Sequence, residues 1–388
     1  MSNKSETSLF AVLPSKTSRS YLPRGDAFHI FKMASNFLGM KSLFLLIPVI
    51  LLASCTSTKK IKTKNGIAEI SYLNINGTRQ YVLIRGKDVG NPVLLFLHGG
   101  PGASATALLR KFNSELENDF TMVYWDQRNA GKSFHRNTSK DEIKVAKYIQ
   151  DVDTLVNYLK KRFNKEKILL VGHSWGSRLG LYAIHRHPEN FMAYVGVGQE
   201  LASYEGELIS YQYTLNKARE LKNEKAIKEL EEIGEPQSGD YTKMYKNGFW
   251  GLVRQKDWLL TLGGERYGRT NYTDWIFSIW FSREYSFADL IRYGKSSGFS
   301  AGNIIYDPDF NNINLFKEIP EVKVPVFFIS GASDYNTPWT LVEDYCKTLR
   351  SPHKEFITFD KSGHSPVFEE PERFNAEIVR IYTTIKNE

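Results

Sequence analysis

Short apolar segments alternate with helical patterns along most of this 388-residue chain. The apolar segments are residues 92–97, 121–125, 167–171, 191–197, 324–330 and 355–359. A continuous apolar segment suits a strand that is buried on both faces, as in a parallel sheet covered by helices. The helical patterns are residues 104–117, 143–163, 176–187, 338–349 and 371–386. This alternation predicts an α/β fold whose mostly parallel sheet carries helices on both faces.

A hairpin is predicted ahead of the alternating region. Residues 68–75 and 79–84 have strand character and flank Asn76-Gly77, a dipeptide that favours a tight turn between antiparallel strands. We therefore assign residues 67–199 and 319–388 to the core of the fold.

One long interruption, residues 200–318, contains no buried strand. It contains an amphipathic helical pattern at residues 217–233, which Gly234 and Pro236 end. These features predict a helical lid inserted after the strand at 191–197. Its tryptophans are expected mostly to form the core of the lid, with the remainder lining a substrate pocket: Trp250, Trp258, Trp275 and Trp280.

The N-terminal region carries the pattern of a secretory signal. Met40-Lys41 precedes a mainly apolar segment, residues 42–53, which is too short for a membrane-spanning helix of about 20 residues. Leu52-Ala53-Ser54-Cys55 resembles the lipobox of bacterial lipoproteins, which implies cleavage before Cys55 and attachment of a diacylglyceryl group to it. Two acyl chains would hold the protein on a bilayer without spanning it. The alternative is a buried helix over residues 42–53 and an ordinary thiol at Cys55.

The boundaries of this region follow from the signal. We interpret residues 40–54 as the signal peptide and residues 55–66 as a flexible tether. Because signals normally begin near the N-terminus, residues 1–39 are interpreted as a disordered or non-native extension. The expected location is the cell envelope, with the protein anchored by lipid and facing the periplasm or the exterior.

The formal net charge of +8 divides evenly between leader and body. Residues 1–54 contain six Lys or Arg and two acidic residues, which leaves a net charge of +4 for the remainder. Its basic residues are scattered, so the charge indicates ordinary solubility with at most weak attraction to an anionic bilayer, and it disfavours nucleic-acid binding. The two cysteines, Cys55 and Cys346, indicate neither a disulfide framework nor a metal site.

A serine lies at the apex of a predicted strand–turn–helix. Gly172-His173-Ser174-Trp175-Gly176 follows the apolar residues 168–171 and precedes a helical pattern. In this context G-x-S-x-G holds a nucleophilic serine at the top of a sheet, and the glycines permit the tight turn. Ser174 is therefore the candidate nucleophile.

A serine alcohol needs a histidine base that is held by an acid. In doubly wound hydrolases the chain order is Ser, then Asp or Glu, then His. Asp334 and His364 each follow an apolar strand segment, so both are expected at the sheet edge where Ser174 lies. We assign Asp334 as the orienting acid and His364 as the general base and acid. Glu200, which also follows a strand, is the alternative acid.

The oxyanion of an acyl-transfer reaction needs preorganised donors. One candidate is the backbone N–H of Trp175, directly after the nucleophile. The other is the N–H of Gly100 in the loop His98-Gly99-Gly100-Pro101-Gly102, which follows the strand at 92–97. This pentapeptide rarely arises by chance at average composition, so it is the most specific motif in the chain.

Three motifs together resemble the prolyl iminopeptidase family of α/β-hydrolases. They are the sequences His-Gly-Gly-Pro-Gly at residue 98, Asp-Gln-Arg-Asn-Ala-Gly-Lys-Ser at residue 126 and Gly-His-Ser-Trp-Gly-Ser at residue 172. The resemblance covers about residues 67–388. It implies an eight-stranded α/β-hydrolase core with a helical lid, the triad above, no metal, no cofactor, and hydrolysis of an amino-terminal residue, often proline, from short peptides.

The resemblance also implies roles for charged residues around the site. In this family acidic lid residues hold the substrate ammonium, and the candidates here are Glu200, Glu205 and Glu207. Asp126 and Arg128 are expected to form a structural ion pair beneath the site.

The chain departs from the family pattern at several positions. Asn129, Ala130 and Lys132 replace Gly, Ser and Arg of the usual motif, and His173 stands where a glycine is usual. We interpret His173 as a packing residue near the turn. These departures affect the expected iminopeptidase specificity rather than the triad.

The sequence therefore predicts a serine hydrolase that forms an acyl-enzyme with a small peptide or amino-acid amide. A carboxylesterase for small acyl esters would use the same machinery, and only the pocket would distinguish the two. A lipoprotein that binds ligands without catalysis is the alternative from another class.

Overall fold

The computed structural model describes residues 58–387. The predictions for residues 1–39, for the signal at 40–54 and for Cys55 lie outside the described residues. Within residues 58–387, no helix combines the length and the apolar character needed to cross a bilayer.

One eight-stranded sheet forms the centre of the fold, with the strand order β1-β2-β4-β3-β5-β6-β7-β8. The strands are β1 Ile67–Ile75, β2 Thr78–Gly86, β3 Val93–Leu97, β4 Thr121–Trp125, β5 Ile168–His173, β6 Phe191–Val197, β7 Val326–Gly331 and β8 Lys354–Phe359. Strands β3 to β8 are parallel, whereas β1 and β2 are antiparallel to each other and β2 is antiparallel to β4. The predicted α/β class is confirmed.

The hairpin between β1 and β2 has a two-residue turn. Ile75 pairs with Thr78, and the turn residues Asn76 and Gly77 have φ angles of 47° and 79°. Positive φ at both central residues matches the turn type that follows the natural twist of a hairpin.

Twelve α-helices lie within the described residues. They are α1 Thr106–Phe112, α2 Val145–Phe163, α3 Trp175–Arg186, α4 Ser203–Glu220, α5 Glu224–Ile233, α6 Phe249–Thr261, α7 Thr273–Trp280, α8 Phe287–Ile304, α9 Leu315–Glu318, α10 Trp339–Thr348, α11 Pro366–Glu369 and α12 Pro371–Asn387. The helix predicted at 104–117 is instead α1 followed by a 3₁₀ helix, Ser114–Asn118.

The continuous apolar strands are explained by two cores, one on each face of the sheet. In β3, Leu94 belongs to one core and Leu95 to the other, because successive side chains of a strand point to opposite faces. Helices α1 and α12 cover the first face, and α2, α3 and α10 cover the second. Because β3 to β8 are parallel, their carboxyl ends lie at the same edge of the sheet.

The helices α4 to α9 are inserted between β6 and β7, and we call the segment 203–318 the lid. The single helix predicted at residues 217–233 is instead two helices, α4 and α5. Lys222 adopts a left-handed conformation with φ 50°, and the side chain of Asn223 accepts a hydrogen bond from the N–H of Ala226 at 3.1 Å. The asparagine cap begins a new helix there.

The expectation that the four tryptophans mostly form the lid core is wrong. The lid core is built mainly from smaller side chains and tyrosines, among them Tyr211, Leu230 and Tyr245. Only Trp258 packs against it, whereas Trp275 joins the core of the sheet, and Trp250 and Trp280 are exposed. Helix periodicity could not assign them, because an aromatic side chain can face any of these three environments.

Candidate active site

Ser174 lies at a strained turn between β5 and α3, where its backbone has φ 54° and ψ −125°. The flanking glycines are required sterically. A Cβ on Gly172 would lie 2.5 Å from the carbonyl oxygen of Gly176, and one on Gly176 would lie 2.1 Å from that of Leu97. A non-glycine residue persists at such angles only where its surroundings enforce them, and strain of this kind is concentrated at functional sites.

Asp334 and His364, which follow β7 and β8, are hydrogen bonded to each other. His364 Nδ1 lies 3.1 Å from Asp334 Oδ2. The buried Asp334 carboxylate also accepts the N–H groups of Asn336 and Thr337, both at 2.9 Å, and the Thr337 hydroxyl at 2.8 Å. These donors fix the orientation of the carboxylate toward the imidazole.

The charge of Asp334 controls the protonation of His364. Burial alone favours the neutral ring, but the adjacent carboxylate, by its charge and its hydrogen bond, outweighs burial and raises the pKa of His364 above its ordinary value of 6.5. Because the carboxylate can only accept, Nδ1 carries the shared proton. Nε2 is therefore the ring atom that is left to accept a proton in the neutral state.

Three contacts connect the Ser174 turn to the loop that carries His364. The N–H of Ser174 donates to the carbonyl of Val197 at 3.0 Å, and the neighbouring Gly198 is so close to His364 that a Cβ there would lie 3.0 Å from its Nδ1. In addition, Nε2 of His173 donates to the backbone carbonyl of His364 at 3.0 Å. Three different strands thus contribute to one short stretch of the sheet edge.

His173 is buried beside His364, with 5.1 Å between the ring centroids. Burial, supported by the repulsion of a charged His364, lowers the pKa of His173 to about 3. The ring is consequently neutral at physiological pH, and its hydrogen bond holds the backbone of His364. This agrees with the interpretation of His173 as a packing residue.

The glycine-rich loop after β3 lies directly against the serine turn. A Cβ on Gly99 would be 3.1 Å from the Cβ of Ser174. Gly100 and Trp175 both border the pocket into which Ser174 opens. Trp175 begins α3, and the N–H groups of a first helical turn have no acceptor within the helix. The two residues that carry the backbone donors assigned from the sequence therefore line the same pocket.

Side chains that follow β3 and β4 in the chain hold this loop in place. Nε2 of His98 accepts the N–H of Gln127 at 3.1 Å, so its Nδ1 bears the proton and donates to the carbonyl of Gly99 at 2.7 Å. The Gln127 amide donates to the carbonyl of His98 and accepts the indole N–H of Trp175 at 3.2 Å. Gln127 thereby connects the glycine loop to the serine turn.

The pocket at Ser174 has a volume of about 230 Å³ and mixes apolar and charged walls. Its apolar residues include Leu201, Phe249, Leu252, Ile304, Ile305 and Phe310. Its charged residues are Glu200, Glu207 and Lys256. The pocket can therefore accommodate a small apolar group beside a charged one.

Both carboxylates in the pocket already contact a cation. Glu200 lies 3.4 Å from the buried guanidinium of Arg178, and burial raises the pKa of Glu200 although Arg178 opposes the rise. Glu207 lies 2.5 Å from the ammonium of Lys256. The third candidate, Glu205, is not in the pocket wall, because it is exposed and accepts a hydrogen bond from Asn314.

Asp126 and Arg128 take different partners rather than each other. Arg128 binds Asp151 through two hydrogen bonds of 2.8 and 2.7 Å. Asp126 accepts hydrogen bonds from hydroxyl groups, including Thr106 at 2.7 Å, and from the N–H of Lys132 at 2.8 Å. The expected ion pair between the two is wrong, although both residues hold loops beneath the site.

Three residues of the site were not singled out from the sequence: Thr337, Gln127 and Lys256. Thr337 lies in a stretch with a local signal, because an aspartate side chain in a turn often hydrogen-bonds the backbone two residues further on. Gln127 lay inside a motif but had no assigned role. Lys256 had no signal, because its contact with Glu207 joins two lid helices that are far apart in sequence.

Comparison with known proteins agrees with this architecture. A family model described as "alpha/beta hydrolase fold" matches residues 92–371. A probable aminopeptidase, YbaC of Bacillus subtilis, is 32% identical over 315 residues, which are 81% of this chain and 96% of that protein. A proline iminopeptidase of Heyndrickxia coagulans is 25% identical over 295 residues, 74% of this chain and 89% of that protein.

Among solved structures, a proline iminopeptidase of Mycobacterium smegmatis superposes with a TM-score of 0.58 at 13% identity, covering 82% of this chain and 98% of that one. At this identity the likeness concerns the fold alone. The fold, the family model and the relatives agree, and the chain belongs to the α/β-hydrolase family.

Proposed function

We propose that the chain is a serine hydrolase of the aminopeptidase type, in which Ser174 is the nucleophile, His364 the general base and acid, and Asp334 the orienting acid. The observation that carries this proposal is the meeting, at one sheet edge, of a strained serine turn and a hydrogen-bonded His364–Asp334 pair. The resemblance to named aminopeptidases supports the choice of substrate class.

The chemistry follows from these groups. Ser174 Oγ attacks the substrate carbonyl carbon while its proton passes to Nε2 of His364, and Asp334 remains ionised and stabilises the imidazolium. The N–H groups of Gly100 and Trp175 stabilise the oxyanion. The intermediate collapses as His364 gives its proton to the leaving amine. Water, deprotonated by His364, then releases the acid and restores Ser174.

The charged residues in the wall of the pocket favour a substrate with a free amino terminus. We propose that Glu200 and Glu207 attract its ammonium group, since opposite charges interact strongly where water is partly excluded. Glu205 does not line this pocket, so it is not assigned the same role. The apolar wall would receive the side chain or the pyrrolidine ring of the first residue.

The test is a comparison of matched substrates. Proline and alanine p-nitroanilides should be hydrolysed faster than their N-acetyl derivatives, and a fluorophosphonate probe should label the folded chain at Ser174 but not the Ser174→Ala variant. Faster cleavage of the acetylated substrates would contradict the ammonium role. No adduct on folded protein would favour a ligand-binding protein without catalysis.

A carboxylesterase is the second candidate, because Lys256 at Glu207 offsets one of the two negative charges in the pocket. An esterase would hydrolyse short p-nitrophenyl esters far faster than any aminoacyl anilide. Its rates would also be insensitive to Glu200→Gln, whereas an aminopeptidase would lose affinity for its substrate.

We also propose that the protein is anchored to a membrane of the cell envelope by lipid on Cys55. The apolar segment at 42–53 and the motif ending at Cys55 support this location. Mass spectrometry of protein from the membrane fraction should find a diacylated N-terminal Cys55. Recovery of an unmodified chain that retains residues 1–54 would contradict the anchor.

A further inference from the structure

An aromatic face is exposed on the lid. On α7, Trp275 and Ile279 point inward and are buried, whereas Phe277 and Trp280 are 52% and 42% exposed, and Phe281, directly after the helix, is 82% exposed. The spacing i, i+3, i+4 puts the three exposed rings on one side of the helix. We call Phe277, Trp280 and Phe281 the α7 aromatic face. Adjacent exposed aromatics of this size commonly mark an interaction surface.

Cations lie next to this face. A cavity of about 500 Å³ is lined by Phe277 and Phe281 together with the exposed side chains of Lys59, Lys111 and Arg283. Lys111 donates to the hydroxyl of Ser278, a neutral partner, at 2.7 Å.

The acidic side chain of this cavity is already neutralised. Among the described residues that line it, Glu284 is the only acidic one, and it lies 3.0 Å from Arg110, which lines the cavity as well. The cavity therefore has an excess of positive charge, which suits phosphate groups of an anionic surface.

The path of the chain brings the N-terminal segment to the same place. Lys59 forms part of the cavity wall, and the guanidinium of Arg85 donates to its carbonyl at 2.6 Å, which holds it on the body. Cys55 precedes Lys59 by four residues, a span of at most about 14 Å. Lys60, Lys62 and Lys64 follow and are exposed. A lipid on Cys55 would consequently keep this face near the bilayer.

We infer that the α7 aromatic face docks on an anionic bilayer, with its rings at the boundary between headgroups and acyl chains and with Lys59, Lys111 and Arg283 at the headgroup phosphates. Aromatic rings favour this boundary, and each basic residue near an anionic surface adds attraction. The inference rests on the proposed membrane location but not on the hydrolase activity, and it assigns the lid a second role besides covering the pocket.

The experiment uses the chain from Thr56 onward, which lacks Cys55. Residues 58–387 contain all eight strands of the sheet and both its cores, and the matched region covers 96% of the related aminopeptidase, so the shortened chain keeps the segments that form the described fold. Cosedimentation is measured with vesicles of phosphatidylglycerol and phosphatidylcholine in equal parts, and with phosphatidylcholine alone. Binding should occur with the anionic vesicles and weaken as salt is raised.

The variants separate the aromatic from the electrostatic contribution. Phe277→Ser with Phe281→Ser should weaken binding about tenfold or more, since two exposed rings lose their place in the interface. Lys111→Glu with Arg283→Glu should weaken binding to anionic vesicles and reduce its salt dependence. Leu221→Ser is the matched control, because Leu221 is a 55% exposed apolar lid residue outside the cavity wall, and it should bind as the parent does.

Three outcomes would overturn the inference: no binding of the parent chain to anionic vesicles, an equal loss in the Leu221 control, or a dimer in solution that the double Phe variant dissociates. The last would make the face a self-association surface. Thermal unfolding shows whether each variant is folded, and rates on soluble ester and anilide substrates test the proposed function separately. If every variant lacks hydrolase activity but the binding pattern holds, the proposed function fails while the docking face stands.

Discussion

The ammonium of Lys256 lies 2.5 Å from Oε1 of Glu207, in the wall of the pocket that contains Ser174. Lys256 thus occupies the place beside Glu207 where the amino terminus of a substrate could bind. Lys256 also acts on His364, because its positive charge opposes the rise of the His364 pKa. These contacts make Lys256 a candidate determinant of both affinity and pH dependence.

Replacing Lys256 by Met should improve the binding of substrates with a free amino terminus. Removing the competing charge frees Glu207, and we expect KM for alanine p-nitroanilide to fall about threefold to tenfold, a size typical of a partly screened charge. KM for the N-acetyl derivative should not change, and Lys256→Arg should resemble the parent. A rise in KM for peptides, but not for anilides, would instead show that Lys256 binds a substrate carboxylate.

Replacing Ser174 by Gly should abolish activity without loss of stability. Glycine adopts φ 54° without the steric cost that serine carries there, a cost of about 1–3 kcal/mol, although its freedom in the unfolded chain offsets part of the gain. Thermal unfolding should show a Tm equal to or above that of the parent, and hydrolysis should fall at least about a thousandfold. A clear drop in Tm would mean that the hydroxyl stabilises the turn.

The rate should depend on pH through His364. Because its folded pKa is raised above 6.5 and the neutral ring is the base, kcat/KM should fall on the acid side with a midpoint above pH 6.5. In Asp334→Asn the carboxylate that raises this pKa is absent, so the midpoint should move to lower pH. The rate at the optimum should fall about 10³- to 10⁴-fold, because the tautomer is no longer fixed.

Replacing Thr337 should have a smaller effect on activity than replacing Asp334. Thr337→Val removes one donor to the carboxylate and a 3.1 Å contact with His364 Nδ1 but keeps the charge. We expect kcat/KM to fall about tenfold, and we expect the midpoint of its acid-side pH dependence to shift less than in Asp334→Asn. An acid midpoint unmoved in Asp334→Asn would show that another acid controls His364.

His173 should make the fold sensitive to acid. Its pKa is about 3 in the folded chain and near 6.5 when unfolded, so between these values the unfolded chain binds the additional proton. The free energy of unfolding should therefore decrease as pH falls through this window. In His173→Gln the amide keeps a donor for the carbonyl of His364 but does not titrate, so denaturant unfolding at pH 6 and pH 4.5 should show a smaller decrease. An identical decrease in both proteins would contradict this role.

The sequence alone predicted the features that depend on neighbouring residues. Continuous apolar segments indicated strands buried on both faces, Asn76-Gly77 indicated the hairpin, and the strand–turn–helix context singled out Ser174. Each follows from side-chain periodicity or from the backbone demands of a tight turn, which act over a few residues. The predicted parallel direction of the strands also constrained the site, since residues that follow parallel strands must share an edge.

Only the tertiary structure decided which distant side chains meet. The contact between Glu207 and Lys256, the hydrogen bond from His173 to the carbonyl of His364, the exclusion of Glu205 from the pocket and the burial of Trp275 against the sheet all depend on how lid and core pack together. Such contacts join segments that are separated by tens to nearly two hundred residues along the chain. Their geometry is set by the fold as a whole, so no local pattern of residues could specify them.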